Sequence, residues 1–482
     1  MTLTTLGRAV AAGVMFLSLA ACSSDLATTE AMTTGPRYAS AKLPTTKVDM
    51  QTVGDSIFED INLSRGRNQS CASCHSSAFG YAGPDVAEVS SPPTEGTFES
   101  IGDAFYEGSI NGRFGDRKPP SAAYASYAPP LFFDNQENTY RGGNFWDGRA
   151  SGGAGITAIA AQGIGPFAAG PEHAFGPACV LWEISQSKYA ADFSTAAGVD
   201  YTTLNFQTVW DAYFTATGVA FPAGCHDITR TDDRFTEVIQ TFPATLTTSE
   251  RGAFEAAYQK VGNALAAYEH SNKVNEFSSK FDLTPRSGWT QDEMLGEQLF
   301  FNGSGCAACH NSEKAPQIFT DFSYYNIGVP ANPRNPAVLH DPQWKDKGLG
   351  PVVGDATFDG SFKSPPLRNV DTRLKGGRKT YMHNGVFSSL ETVVHFYNTR
   401  DLKACPIGMD MAKQWKRFPT VKDGVSQVKS GICWPRPDFP NNRLVTNVIG
   451  GRGPIGNIGL TATEERRLVA YMKTLSDTDV NP

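Results

Sequence analysis

From Phe254 onward the apolar residues Phe254, Tyr258, Val261, Leu265 and Tyr268 recur at the three- and four-residue spacing of one helix face. A long amphipathic helix is expected there, with that stripe turned to the core. Two further helix starts carry polar signals: Thr290 with Glu293, and Thr461 with Glu464, have the spacing of capping boxes. The first precedes Leu295 and Leu299 and leads into a cysteine cluster. The second opens a final helix with Leu468, Met472 and Leu475 on one face. Around residues 81–140 and 402–459 the periodicity fails, so long loops are expected. The chain therefore reads as mainly α.

One apolar run has a different meaning. Arg8 precedes residues 9–19, which are apolar, and small residues follow up to Cys22. The run is too short to span a bilayer as a mature helix and has the plan of an export signal. "LAAC" at residues 19–22 resembles a bacterial lipobox, with Cys22 as the lipidated residue; cleavage near Ala21 by an ordinary signal route is the alternative. Ser23, where an aspartate would retain the protein, points to the outer membrane. Residues 23–46 have the composition of a flexible tether.

Composition bounds the rest. The chain has 482 residues, 40% of them hydrophobic and 19% charged, with 47 glycines and 30 prolines, enough for two or three domains with real cores and many turns. A net charge of −7 without basic runs argues against a nucleic-acid partner. Of nine cysteines, Cys22 belongs to the signal and four to repeated motifs. The even remainder outside the cytoplasm predicts disulfides, most simply Cys179 with Cys225 and Cys405 with Cys433.

The repeated motif is C-x-x-C-H, at Cys71, Cys74 and His75, and again at Cys306, Cys309 and His310. A zinc ribbon would place its two C-x-x-C pairs closer together, and a redox dithiol does not need the histidine. Covalent haem c needs every part: two thiols add to the vinyl groups, and the adjacent imidazole ligates iron. Two haem c groups are predicted, with His75 and His310 as proximal ligands. Between His75 and His173 there is no histidine, and between Met50 and Met294 no methionine, so few side chains could close the first iron's far side.

Four blocks flank the motifs: "NFWDGRAS" at 144–151, "GIGPFAAGPEHAFG" at 163–176, "FKSPPLRNV" at 362–370 and "YMHNGVFSSLETVVHFYN" at 381–398. In this order the chain resembles the bacterial di-haem cytochrome c peroxidase and MauG superfamily. The resemblance implies two cytochrome c-like haem domains with long loops, residues 47–282 holding the peroxidatic haem and 283–482 the second, joined near residues 282–288. It implies that Trp146 lies between the haems and relays oxidising equivalents, a role suited to an oxidisable indole. It implies that Glu172 is the acid that shuttles a proton at the first haem. His173 beside it has no counterpart, and a second pocket group or a structural histidine are both open.

Departures from the peroxidase pattern matter as much. Many such peroxidases block the first haem with a histidine on a mobile loop; the matching stretch "INGRFGDRKPPS" at 110–121 has none, so an open resting site is expected. They also place methionine on the second iron where this chain has Tyr397, as in MauG-type enzymes. Phenolate is a hard anionic donor favouring oxidised iron, whereas thioether favours reduced iron. Met382 is the alternative donor and His395 a weaker one. Calcium is a further candidate cofactor, but Lys118 stands where relatives offer an asparagine. The implied activity is reduction of hydrogen peroxide, with electrons from cytochrome c, from a cupredoxin, or from an aromatic residue of a protein substrate. The alternative is a membrane-tethered electron-transfer cytochrome without peroxide chemistry.

Overall fold

Each half of the folded chain opens with a short capped helix that lies across the helix closing that half. Asp49 accepts the Thr52 N–H and starts the helix Met50–Phe58, and a Thr247/Glu250 capping box starts its partner, Thr248–Glu269. The predicted stripe is the buried face of that partner: Phe254, Val261, Leu265 and Tyr268 are buried and Tyr258 packs beside them. In the second half the Thr290/Glu293 box opens Gln291–Phe301, and the Thr461/Glu464 box opens Ala462–Lys473. Leu468 and Met472 are buried there, as is Leu475 just past the helix end.

Both crossings are made at a glycine. A Cβ on Gly54 would collide with the Ala264 carbonyl and press on Tyr268; one on Gly296 would collide with the Arg467 carbonyl and press on Tyr471. Neither obstacle is a flexible side-chain end. Gly54→Ala and Gly296→Ala are therefore each expected to cost about 3 kcal/mol, at the upper end for overpacking. Gly252→Ala, in open space on the Thr248–Glu269 helix, should instead add roughly 0.5–1 kcal/mol. Thermal unfolding of the three variants checks this; equal melting temperatures would mean the helices do not touch at these glycines.

The coordinates are a computed structural model describing residues 49–83, 100–101, 104–153, 155–230, 232–311, 316–371, 380–419, 421–422, 425–426, 432–441 and 451–478. The predicted export signal, the tether and Cys22 lie outside them. Residues 48–482 form one compact unit that is mainly α-helical with long loops. Two apolar clusters divide it: one runs from Val53 to Val274 and adds Ile318, the other runs from Phe281 to Leu475. Near the division Arg368, buried, grips Asp282 through both guanidinium nitrogens at 2.5 and 2.8 Å. Both expected disulfides are present, Cys179–Cys225 and Cys405–Cys433, with Cα atoms 5.8 and 4.8 Å apart.

Strands are confined, among the described residues, to two-stranded antiparallel ribbons. One of them, Tyr324–Tyr325 with Phe362–Lys363, sets Lys363 in the interior. No described helix is long and apolar enough to cross a membrane.

Candidate functional site

The two C-x-x-C-H segments fold alike. Cys71–Cys74 is a single helical turn, and the His75 N–H donates back to the Cys71 carbonyl at 2.9 Å. His310 donates to the Cys306 carbonyl at the same distance. Each imidazole then has its Nδ1 fixed by a main-chain carbonyl, Tyr81 at 3.1 Å for His75 and Phe319 at 3.0 Å for His310. That contact makes Nδ1 the protonated nitrogen and leaves Nε2 as the metal donor. Burial pushes the His75 pKa down to about 4 and lowers that of His310, so both rings are neutral at pH 7, as ligation requires.

The four thiols are unpaired. Desolvation raises all of them, Cys74 and Cys309 to about 12. Four half-buried thiols beside two neutral, oriented imidazoles suit covalent haem attachment. Among the described residues no group of three or more His, Cys, Asp or Glu side chains is placed to hold a metal.

Each motif borders a cavity. The larger, about 230 Å³, is walled by Cys306, Cys309 and His310 together with Phe300, Leu468 and Met472. The smaller, about 50 Å³, has His75, Asn144, Phe145 and Phe322 in its wall. Trp146, Lys363 and Pro365 belong to both walls. The indole is held there by its Nε1–H, which donates to the Lys118 carbonyl at 2.7 Å, and by its own carbonyl, which accepts the Lys363 N–H at 2.9 Å.

The helix Leu390–Thr399 turns Leu390, Val393, Val394 and Tyr397 to the large cavity, the spacing of one helix face. Burial raises the Tyr397 phenol. Met382, in left-handed backbone at φ 72°, borders the same cavity. His395 lies elsewhere: its Nδ1 meets Glu465 at 3.0 Å and its Nε2 meets Lys403 at 3.0 Å. With both nitrogens engaged it offers no donor to the cavity, which removes the weakest of the three axial candidates.

Glu172 sits in the turn after the helix Ala158–Ala168, its N–H on the Ala169 carbonyl and its own carbonyl accepting the Ser109 N–H at 2.7 Å. Desolvation pushes its carboxyl up to about 7, against the opposing pull of Arg149, and its charge is felt by Cys71 and Cys74 of the first motif. His173 is buried with Nδ1 2.9 Å from the Leu63 carbonyl and its ring edge-on to Phe167.

Further charged residues converge here. Arg117 pairs with Asp147 at 2.5 Å and with both oxygens of Asp346 at 2.7 and 2.6 Å. Lys118 beside it is buried and gives its N–H to the His383 carbonyl at 2.8 Å. Stretch 110–121 is thus tied to both halves next to Trp146. His383 stacks on Phe362 with ring centres 3.4 Å apart. The signal for Asn144 and Lys363 was present, since each is a polar residue inside one of the four blocks. The Arg117–Asp346 pair gave none.

Residues 49–251 match the family described as di-haem cytochrome c peroxidase. The methylamine utilization protein MauG of Paracoccus denitrificans (strain Pd 1222) is 28% identical over 443 residues, covering 90% of each chain. Cytochrome-c peroxidase IdrP1 of Denitromonas iodatirespirans is 29% identical over 157 residues, 28% of this chain and 39% of that protein. The crystal structure of the diheme peroxidase BthA from Burkholderia thailandensis E264 superposes with a TM-score of 0.61 at 26% identity, covering 89% of this chain and 86% of that one.

Proposed function

The chain belongs to the bacterial di-haem cytochrome c peroxidase and MauG superfamily, and from that premise we propose that it reduces hydrogen peroxide at the His75 site with oxidising equivalents shared through Trp146 to the His310 site. It is an enzyme of this kind, and the family implies covalently bound haem c. In the proposal Cys71 and Cys74 hold one haem and Cys306 and Cys309 the other, in modules 47–282 and 283–482. His75 and His310 would each offer an imidazole nitrogen to a haem iron, and Tyr397 would offer its phenol oxygen at the second site. A haem bound at the first site supplies the redox chemistry on peroxide.

The chain's own residues do the rest. Glu172, with a carboxyl pushed up to about 7, accepts a proton from one peroxide oxygen and returns it to the other. Trp146 spans the wall between the sites, and Arg117 holds the histidine-free stretch 110–121 against Asp147 and Asp346. The observation that carries the reading is this shared wall: one oxidisable ring borders both motif cavities. The electron source is a small redox protein or an aromatic residue of a protein substrate. The predicted anchor at Cys22 would hold the enzyme on the periplasmic side of the envelope.

Rapid mixing of the fully oxidised holoprotein with one equivalent of hydrogen peroxide, without reductant, tests this. A prompt change in the haem bands with a long-lived product is expected. Reaction only after one haem is reduced would sink the open resting site; no reaction in either state would leave an electron-transfer cytochrome.

A further inference from the structure

Lys363 is a buried cation in surroundings that offer it no charge. The residue is 9% exposed, and its Nζ donates to the Gly143 carbonyl and, at 3.0 Å, to Asn144 Oδ1, with the Phe322 ring centre 5.3 Å away. All three are neutral. Burial alone pushes the ammonium down to about 7, with no carboxylate opposing it. Buried lysines are kept charged by an anion, and one without a partner gives up its proton.

The residue that Lys363 touches has a matching deficit. Asn144 is 3% exposed, and its Nδ2, the donor end of the same amide, has no acceptor among the described residues. Both side chains border the cavity that contains His75. A cation and an unsatisfied N–H side by side call for an anionic oxygen acceptor there. A haem held at this motif would bring two carboxylates of its own to the cavity.

We propose that Lys363 and Asn144 together anchor a carboxylate of the haem bound at the Cys71–Cys74–His75 motif, the ammonium supplying the charge and the amide Nδ2 the second hydrogen bond. This rests on the haem reading above. It gives the polar residues of two sequence blocks a joint task, and it makes Lys363 a positioning residue whose charge tunes the first haem. A nearby cation favours the reduced, more electron-rich state, so removing it lowers the midpoint potential.

The test is spectroelectrochemical titration of the holoprotein, with haem content per chain measured alongside. Lys363→Gln should lower the midpoint of the first haem, and Lys363→Arg should keep it near the wild-type value. Asn144→Asp, nearly isosteric, should lower it as well, because the new carboxylate claims Lys363. Unchanged midpoints in Lys363→Gln and Asn144→Asp, with two haems still bound, would overturn the proposal. So would a wild-type midpoint that follows chloride concentration, which would mark an exchangeable solvent anion in place of the cofactor's carboxylate. Shifted midpoints in a protein inert to peroxide would leave this anchor standing and remove only the peroxidase reading.

Discussion

Glu172→Gln is expected to slow the reaction with hydrogen peroxide by about 10²–10⁴-fold, the usual worth of a positioned acid–base group, while the haem spectrum of the resting protein stays unchanged. Glutamine keeps the size of the side chain and the turn that carries it, since the ties from that turn to Ala169 and Ser109 run through the main chain. What it loses is the ability to accept a proton. Burial holds the wild-type carboxyl near 7, with Arg149 opposing and Asp116 adding to the rise, so at neutral pH both the base and the acid form are populated. The group must first be ionised to take the peroxide proton. The second-order rate constant should therefore rise as pH passes upward through about 7 and level off above it. In Glu172→Gln the remaining slow reaction should lose that step. Stopped-flow measurements from pH 5 to 9 on both proteins decide the matter; an equal step in the variant would move the titrating group elsewhere.

What could be read from the sequence had local causes. The stripe from Phe254 to Tyr268 and the boxes at Thr290 and Thr461 concern residues within a few turns of one another, and spacing alone reports such geometry. The C-x-x-C-H segments are equally local: thiols, imidazole N–H and the carbonyl that orients the ring all fall within a short stretch. The wall between the cavities is assembled across the chain. Arg117 and Asp346 are separated by 229 positions, and Lys363 and Asn144 by 219. No periodicity links such partners; only the folded arrangement shows that the charges meet. His395 illustrates the converse. It sits two positions before Tyr397, but that offset turns it to another face of the helix, where Glu465 and Lys403 engage it.

Tyr397→Met should raise the midpoint potential of the second haem by hundreds of millivolts, a large part of the roughly 0.8 V that axial ligands span, and abolish the prompt reaction of the fully oxidised protein with peroxide. The argument begins with position. Tyr397 lies on the helix face that Leu390, Val393 and Val394 turn to the cavity of His310. Burial raises its phenol, so the ring keeps its proton unless a bound cation displaces it, as metals do to buried acids. Ligation would thus convert a neutral phenol to an anionic donor that stabilises the oxidised metal, and thioether would reverse that preference. Methionine has the reach and flexibility to fill the same space, which keeps the comparison one of donor chemistry. Met382 borders the same cavity and supplies the control. If Tyr397 is the donor, Met382→Leu leaves the potential and the oxidised spectrum in place; if Met382 is, that variant shifts both and Tyr397→Met shifts neither. Redox titration of the two variants separates the cases, and a shift in Met382→Leu alone would pass the ligand to Met382.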